Sequence, residues 1–254
     1  MRVIVAMSGG KASAWCGAWA LRHFAKSDVV WYFNDTGWEH KDLYRFLSDL
    51  SAHFDHPVTE DSDGRNCEEL FYDSKSLANN RMPFCSRILK AERLQSYYQD
   101  GDTIVFGIGQ NEPQREERLR SVYSRIELVS GKAVRLRFPL IEETATAGMV
   151  DDWLKAIGIV EPLLYRLGFA HNNCSGGCVR AGKVQWAKLY RRLPEVYAER
   201  ERVENEASDR AGRQCTFING ESLEALRLRI DAGDVDKRFD DHDDLPLFDC
   251  VGSC

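Results

Sequence analysis

Val3-Ile4-Val5-Ala6-Met7-Ser8-Gly9-Gly10-Lys11-Ala12-Ser13 is the stretch that decides the fold. Residues 3–6 are a continuous apolar run rich in β-branched side chains, the pattern of a strand covered on both faces, and Ser8-Gly9-Gly10 breaks it. From 12 to 24 the composition turns helix-forming, with apolar residues on a repeating face. The unit is strand, tight turn, helix. Working outward, residues 28–34 are a second apolar and aromatic run that ends in the polar turn Asn34-Asp35-Thr36-Gly37, and 40–54 follow as an amphipathic helix. A third helix is predicted over 86–98, and 103–108 read as a short strand opening into the polar loop 109–113. Strands alternating with helices predict an α/β fold. The sheet is doubly wound and mostly parallel with helices on both faces, and ligands sit outside the carboxyl ends of its strands.

After residue 139 the character changes. Residues 150–157 and 184–207 read as helices; the second carries Glu195, Glu199, Glu201, Glu204 and Glu206 and is expected to present a solvated outer face. Residues 174–182 form a glycine-rich loop, 222–230 a short final helix, and 231–254 show no periodicity. The formal charge of −6 argues against a protein that coats nucleic acid non-specifically, because such binding neutralises many phosphates with Lys and Arg. Arg115, Arg118, Arg120, Arg125, Lys132, Arg135 and Arg137 crowd one stretch, and the acidic excess lies between 231 and 249; both read as solvated surface. No run approaches the ~18 apolar residues that span a membrane. The first apolar run is too short for a signal peptide, and a cytoplasmic location is expected. In that reducing compartment the eight cysteines are expected to be buried, metal-binding or catalytic rather than disulfide-bonded.

A glycine turn placed between a buried strand and a helix points backbone N–H groups and the positive end of the helix dipole at one spot, which suits phosphate or sulfate. Gly9 and Gly10 let the backbone approach the anion, Ser8 and Ser13 offer hydroxyls, and Lys11 offers a charge. Neither the three-glycine dinucleotide pattern nor the Walker-type loop is present.

Ser8-Gly9-Gly10-Lys11-Ala12-Ser13 resembles the PP-loop with which the adenine nucleotide alpha hydrolases hold pyrophosphate, with Ala12 standing where the usual pattern has Asp. Further stretches resemble the phosphoadenosine phosphosulfate (PAPS) reductase-like branch in order. They are Phe33-Asn34-Asp35-Thr36-Gly37, Cys85-Ser86-Arg87 with Leu89-Lys90, Gly107-Ile108 followed by Glu112 and Arg115, Phe138-Pro139-Leu140-Ile141, and Leu164-Tyr165-Arg166-Leu167-Gly168-Phe169 leading to Cys174 and Cys178. Together they cover residues 1–190. The resemblance implies a site for ATP, adenylyl sulfate (APS) or phosphoadenylyl sulfate between the PP-loop and the Asp35-Thr36-Gly37 turn. Asp35 would meet a ribose hydroxyl or a magnesium-bound water, and Arg87, Lys90 and Arg115 phosphate or sulfate oxygens. It also implies a PP-loop nucleotide-binding α/β domain over 1–145. Residues 146–254 would be a helical extension with the cysteine site and a polar tail, packed on the same core.

Cys174-Ser175-Gly176-Gly177-Cys178 has the glycine freedom a loop needs to wrap two thiolates onto one metal or cluster, and Cys85 opens a predicted helix, where the dipole lowers a thiol pKa. In the family these positions converge on a [4Fe-4S] cluster. Its cluster form has adjacent cysteines where this chain has Phe84-Cys85, so three ligands match: Cys85, Cys174 and Cys178. An open iron, a fourth thiolate from Cys67, Cys215, Cys250 or Cys254, and a structural zinc site all stay open. Cys250 or Cys254 stands as a candidate C-terminal nucleophile like that of the PAPS reductases. Cys16 reads as a buried thiol, and Trp15, Trp19, Trp31 and Trp153 as core.

Three functions follow. The first is ATP-dependent adenylation of an oxygen-bearing substrate with replacement of that oxygen by sulfur, using a sulfur donor and an iron–sulfur cluster on Cys85, Cys174 and Cys178. The second is thiol-dependent reduction of phosphoadenylyl or adenylyl sulfate with a thioredoxin-like reductant. The third is a nucleotide-binding module without catalysis. A tRNA base, a DNA backbone and a small metabolite all stay open as acceptor, no membrane partner is expected, and self-association is implied by analogy alone.

Overall fold

The computed structural model describes residues 1–234. Among these, β1 (Val3–Met7), β2 (Val29–Asp35), β3 (Val58–Ser62), β4 (Thr103–Val105) and β5 (Arg135–Arg137) form one sheet in the order β3-β2-β1-β4-β5, and every neighbouring pair is parallel. Val5 of β1 stands opposite Trp31 on one side and Val105 on the other. The chain winds outward from β1 to β3 and then returns to lay β4 on the far side of β1. Strand order therefore reverses between β1 and β4, and the segments leaving their carboxyl ends part to leave a crevice. This is the doubly wound sheet that the alternating pattern predicts.

The helices are α1 (Lys11–His23), α2 (Lys41–Phe54), α3 (Cys67–Asp73), α4 (Phe84–Ser86), α5 (Glu92–Tyr97), α6 (Pro113–Ser130), α7 (Pro139–Glu142), α8 (Ala147–Ala156), α9 (Leu163–Arg166), α10 (Lys183–Arg192), α11 (Pro194–Ala211) and α12 (Leu223–Asp231). A π-helical turn, Arg87–Ala91, joins α4 to α5. Alternate residues of β1 serve two cores. Val3, Val5 and Met7 pack with α1, α2 and α8, whereas Ile4 and Ala6 pack with Leu94, Tyr98 and Leu119 on the opposite face. A third core joins Trp38, α3 and the π-turn region to α10, α11 and α12, and it holds Cys67, Cys85, Cys174, Cys178 and Cys215.

Several elements depart from the sequence expectation. β3 and β5 carry too many polar and charged residues to stand out as apolar runs, and α6 buries only Arg115 and Leu119, leaving no stripe to read. The single helix expected over 184–207 is two, because Pro194 lacks the N–H needed to continue a helix and starts α11 instead. Nor is α11 simply an outer face: Arg200 and Glu204 are 2% and 1% exposed. Cys16, Trp15, Trp19 and Trp31 are buried as expected, and Trp153 is half-buried. No helix of the described residues is long and apolar enough to cross a membrane.

Candidate functional site

The site begins where β1 runs out. Gly9 takes a left-handed φ of 75°, and a Cβ there would lie 2.4 Å from Leu43 Cγ, so only glycine turns the chain at this point. Gly10 is the N-cap of α1 and makes no side-chain cap, and the first turn holds no acidic residue. The helix therefore begins with its N–H groups and positive dipole end directed outward rather than capped from within. Ser13 Oγ ties the turn together: it donates to Gly10 O at 2.9 Å and accepts from Ser8 N at 3.1 Å. After β4, Gly107 presses on the same helix start. A Cβ there would stand 2.9 Å from Ser13 N, which is backbone and cannot move aside.

Behind this turn is a small enclosed space lined by Ser8, Ser13, Gly107 and Arg115, with Arg115 buried and paired to Glu112 at 2.7 Å. In front of it opens a cleft of about 1190 Å³, floored by Ser8, Gly10, Lys11 and Gly107. Gln110, Asn111 and Glu112 line it on the β4 side, Leu140, Ala145, Val150 and Leu154 supply an apolar wall, and Tyr165, Arg166, Phe169, His171 and Lys188 line the remaining side. Lys11 reaches across to Asp151 at 2.5 Å and Glu161 at 3.0 Å, with its ammonium 4.4 Å from the centre of the Tyr165 ring. Burial works against the Lys11 charge, but the two carboxylates outweigh it and raise its pKa. Glu161 is held there from α2. Asp42 accepts from Leu163 N at 2.7 Å, Arg45 donates to the carbonyls of Val160 and Glu161, and the Arg45 guanidinium keeps the Asp42 carboxyl down at about 2.

The Asp35-Thr36-Gly37 turn leaves the carboxyl end of the neighbouring strand. Asp35 accepts from Gly37 N at 2.8 Å and from the Tyr44 hydroxyl at 2.9 Å, so its carboxylate shapes the turn. Burial and the Asp35 charge push the Tyr44 hydroxyl up, keeping it the donor. Thr36 Oγ1 donates at 3.1 Å to Glu39, and Glu39 is the hub of the molecule. One of its oxygens also accepts from Lys90 at 3.2 Å, and the other takes the Cys174 N–H at 2.6 Å. The Glu39 and Lys90 side chains are 0% and 4% exposed, a pair that links the Asp35 turn, the π-turn and the cysteine loop.

The cysteine loop itself lies inward. Cys174 and Ser175 have left-handed φ of 50° and 54°, and Gly176 follows at 85°. The strain is held by Ser175 Oγ donating to Trp38 O at 3.1 Å and by Gln185 Nε2 donating to Gly176 O at 2.7 Å. The Arg200 guanidinium lies 3.6 Å from the centre of the Trp38 ring, beside Gly177, with Nη1 3.2 Å from a Glu199 oxygen and, among the described residues, no hydrogen-bond partner for Nε. Burial lowers the Arg200 pKa, while Glu199 and the sulfurs of Cys174 and Cys67 act the other way.

The residues expected from sequence thus separate. Ser8, Gly10, Lys11, Gly107 and Glu112 line the cleft; Ser13 and Arg115 sit directly behind it. Gly9, Asp35, Thr36 and Gly37 shape adjoining turns. Arg87 is instead half-exposed and paired with Glu92 at 2.5 Å, and Lys90 is buried against Glu39. Cys85, Cys174 and Cys178 share one core. Among the described residues, however, no group of three or more His, Cys, Asp or Glu side chains is arranged to hold a metal ion. Among the described residues, then, Cys85, Cys174 and Cys178 do not by themselves make up a metal site. Trp38 and Trp186 pack in the same core rather than in the cleft. Cys250 and Cys254 lie outside the described residues. Sequence reasoning missed Glu39, Asp42, Asp151, Glu161 and Arg200, since no local pattern marks an acid or arginine whose partner lies far along the chain.

Against this geometry, the family model for the phosphoadenosine phosphosulfate reductase domain matches residues 2–197, which takes in β1 to β5 and the chain as far as the first turn of α11. Comparison with curated proteins and with solved structures gave no match.

Proposed function

Because the chain belongs to the phosphoadenosine phosphosulfate reductase domain family of the PP-loop superfamily, we propose that it is an enzyme that binds an adenine nucleotide at Ser8–Ser13 and transfers its adenylyl group to an oxygen of a second substrate. The observation that carries this is the uncapped, acid-free start of α1 at the floor of a cleft on the strand-order switch. In this reading the α1 N–H groups and Ser8 hold the pyrophosphate, Lys11 leaves Asp151 and Glu161 to meet it, and the adenosine lies along Leu140, Ala145 and Val150. An acceptor oxygen attacks the α-phosphorus, the bond to the bridging oxygen breaks, and pyrophosphate leaves. A sulfur nucleophile then attacks the acceptor carbon, and AMP departs with the oxygen. Magnesium enters only as the counter-ion of ATP, and each step above uses the nucleotide, the acceptor and the sulfur nucleophile alone.

A second reading is thiol-dependent reduction of a sulfonucleotide, and the family match itself favours it. Among the described residues no cysteine lines the cleft, so the attacking thiol would come from Cys250 or Cys254. The two are separated by product: pyrophosphate and AMP from ATP on one hand, sulfite from phosphoadenylyl sulfate with a thioredoxin-like reductant on the other. Pyrophosphate release lost in Ser13→Ala supports adenylation. Sulfite release that survives removal of ATP overturns it, and nucleotide binding with neither product identifies a module without catalysis.

A further inference from the structure

Two hydroxyls from distant parts of the chain converge in front of Gly10. A Cβ built on that glycine would stand 2.9 Å from the Tyr165 hydroxyl and 3.4 Å from Ser8 Oγ, so a single oxygen atom seated there meets both. The same spot lies at the uncapped start of α1. Ser8 belongs to the loop itself, whereas Tyr165 comes from α9. Two fastenings hold it in place. Asp42 of α2 accepts from Leu163 N at 2.7 Å on one side, and Asn172 Nδ2 donates to Gly9 O at 2.9 Å on the other. Between them Leu164 is buried in the cysteine-bearing core, which leaves Tyr165 half-buried on the cleft side.

The ring face has its own partner: the Lys11 ammonium lies 4.4 Å from its centre while Asp151 and Glu161 hold it. One phenol thus touches both parts of the anion floor, the helix start with its hydroxyl edge and the ammonium with its face. Packing against Gly10 and Lys11 asks only for an aromatic ring, and a phenyl group would serve it as well. An anion asks for more. The non-bridging oxygens of a pyrophosphoryl group point to several sides, and the α1 N–H groups reach only those on the helix side. A hydroxyl donor opposite them meets an oxygen that the helix leaves unmet.

We infer that Tyr165 is a binding residue for a pyrophosphoryl group, either the terminal phosphates of ATP or free pyrophosphate. Its hydroxyl and that of Ser8 donate to one non-bridging oxygen in front of Gly10, opposite the α1 N–H groups. Ser8 Oγ, which donates to Ser13 Oγ at 3.2 Å, turns its proton to the anion, and the Lys11 ammonium passes across the Tyr165 ring from its two carboxylates to the same group. The choice of a pyrophosphoryl group over a sulfonucleotide rests on the adenylation reading above.

The test is calorimetric titration of the full chain and of Tyr165→Phe with inorganic pyrophosphate, ATP, AMP and adenylyl sulfate, beside thermal melts of both proteins. The variant keeps the ring over Gly10 and Lys11, so its melting temperature should match that of the wild type. Loss of a hydrogen bond to a charged group should weaken pyrophosphate and ATP about tenfold and leave AMP within about twofold. A loss for ATP without one for free pyrophosphate keeps the inference and confines it to the bound nucleotide. No loss for either overturns it, and so does an equal loss for AMP, which would put the hydroxyl at the nucleoside end. Adenylyl sulfate weakened while pyrophosphate and ATP are unchanged also overturns it, in favour of a sulfonucleotide. A lower melting temperature with all four ligands weakened alike would reduce the phenol to a support of the loop. The adenylation reading survives each of these results where the wild type still releases pyrophosphate from ATP. A wild type that binds pyrophosphate through Tyr165 but releases none from ATP keeps the residue and removes that reading.

Discussion

Ser-Gly-Gly occurs twice in this chain, at Ser8-Gly9-Gly10 and at Ser175-Gly176-Gly177, and the molecule uses the two in opposite ways. In both, the middle glycine is left-handed, with φ of 75° and 85°. In both, the last glycine has nearly the same φ, −98° and −95°. The next angle separates them. Gly10, with ψ of 164°, extends into the first turn of a 13-residue helix and faces a cleft; Gly177, with ψ of 49°, leads to Cys178 inside the core. The first loop keeps its helix-start N–H groups outward, whereas the second places its hydroxyl, a carbonyl and the Cys174 N–H on Trp38, Gln185 and Glu39. The lesson is that a small-residue turn suits an anion where a long helix begins directly behind it and no side chain caps that helix's first N–H groups. The loops are also joined, since Asn172 Nδ2 donates to Gly9 O at 2.9 Å.

The sharpest way to break this comparison is at the hub that holds the second loop. Glu39→Ala leaves Lys90 buried without its carboxylate and should cost about 3–5 kcal/mol, read from the urea midpoint. A loss below about 1 kcal/mol would show that the cysteine loop does not depend on Glu39.

Glu204 sharpens the same contrast through pH. Burial pushes its carboxyl from 4.5 up to about 7, against the two backbone N–H donors of Phe217 and Leu223, which pull it down. A folded-state value above the unfolded one means that the folded chain holds the proton more tightly. This contribution to stability is complete below pH 4.5 and is lost as pH rises to about 7. Relative to Glu204→Gln, the wild type should therefore lose on the order of 2–3 kcal/mol across that window. Parallel stability curves for the two proteins would contradict it.

Between the two glycine turns, substitution should divide binding from stability. Gly10→Ala puts a methyl 2.9 Å from the movable Tyr165 hydroxyl, at the anion floor. It should weaken nucleotide about tenfold, or ~1.4 kcal/mol, with little change in stability. Gly177→Ala meets Leu189 at 3.2 Å and the Arg200 guanidinium at 3.3 Å in the core, and should lower stability by about 1 kcal/mol while nucleotide affinity stays the same. Calorimetric titration and thermal melts of both variants decide the matter, and a common loss of affinity would erase the distinction.

The smallest effect lies at the latch. Asp151 is 39% exposed and its hold on Lys11 is partly screened, so Asp151→Asn should release the ammonium and tighten nucleotide only two- to fivefold, about 0.4–1 kcal/mol. Weaker binding would mean that Asp151 itself faces the ligand's side of the cleft as a needed group.

Local pattern carried the first elements well. The strand, the glycine turn and the helix at Val3–His23 are contiguous, and their periodicities can be read in one window. The same holds for the Asp35 turn and for Gly107 after β4. It failed where charge hides burial. Arg200 and Glu204 sit among the glutamates of α11 and look like surface, yet both are inside. Arg87 and Lys90, adjacent turns of one helical segment, went to the solvent and the interior respectively, which a π-turn between α4 and α5 decides.

What the sequence alone determined is therefore the parallel α/β architecture and the strand, glycine turn and helix start at Val3–Ser13, because strand burial, the glycine turn and helix initiation are set by residues within a few positions of one another. Only the tertiary structure decided that Lys11 is latched by Asp151 and Glu161, that Glu39 joins three distant loops, and that the cysteines face inward. Those outcomes depend on which groups meet across more than fifty residues of chain and on whether water still reaches them there, and neither is written in any local stretch.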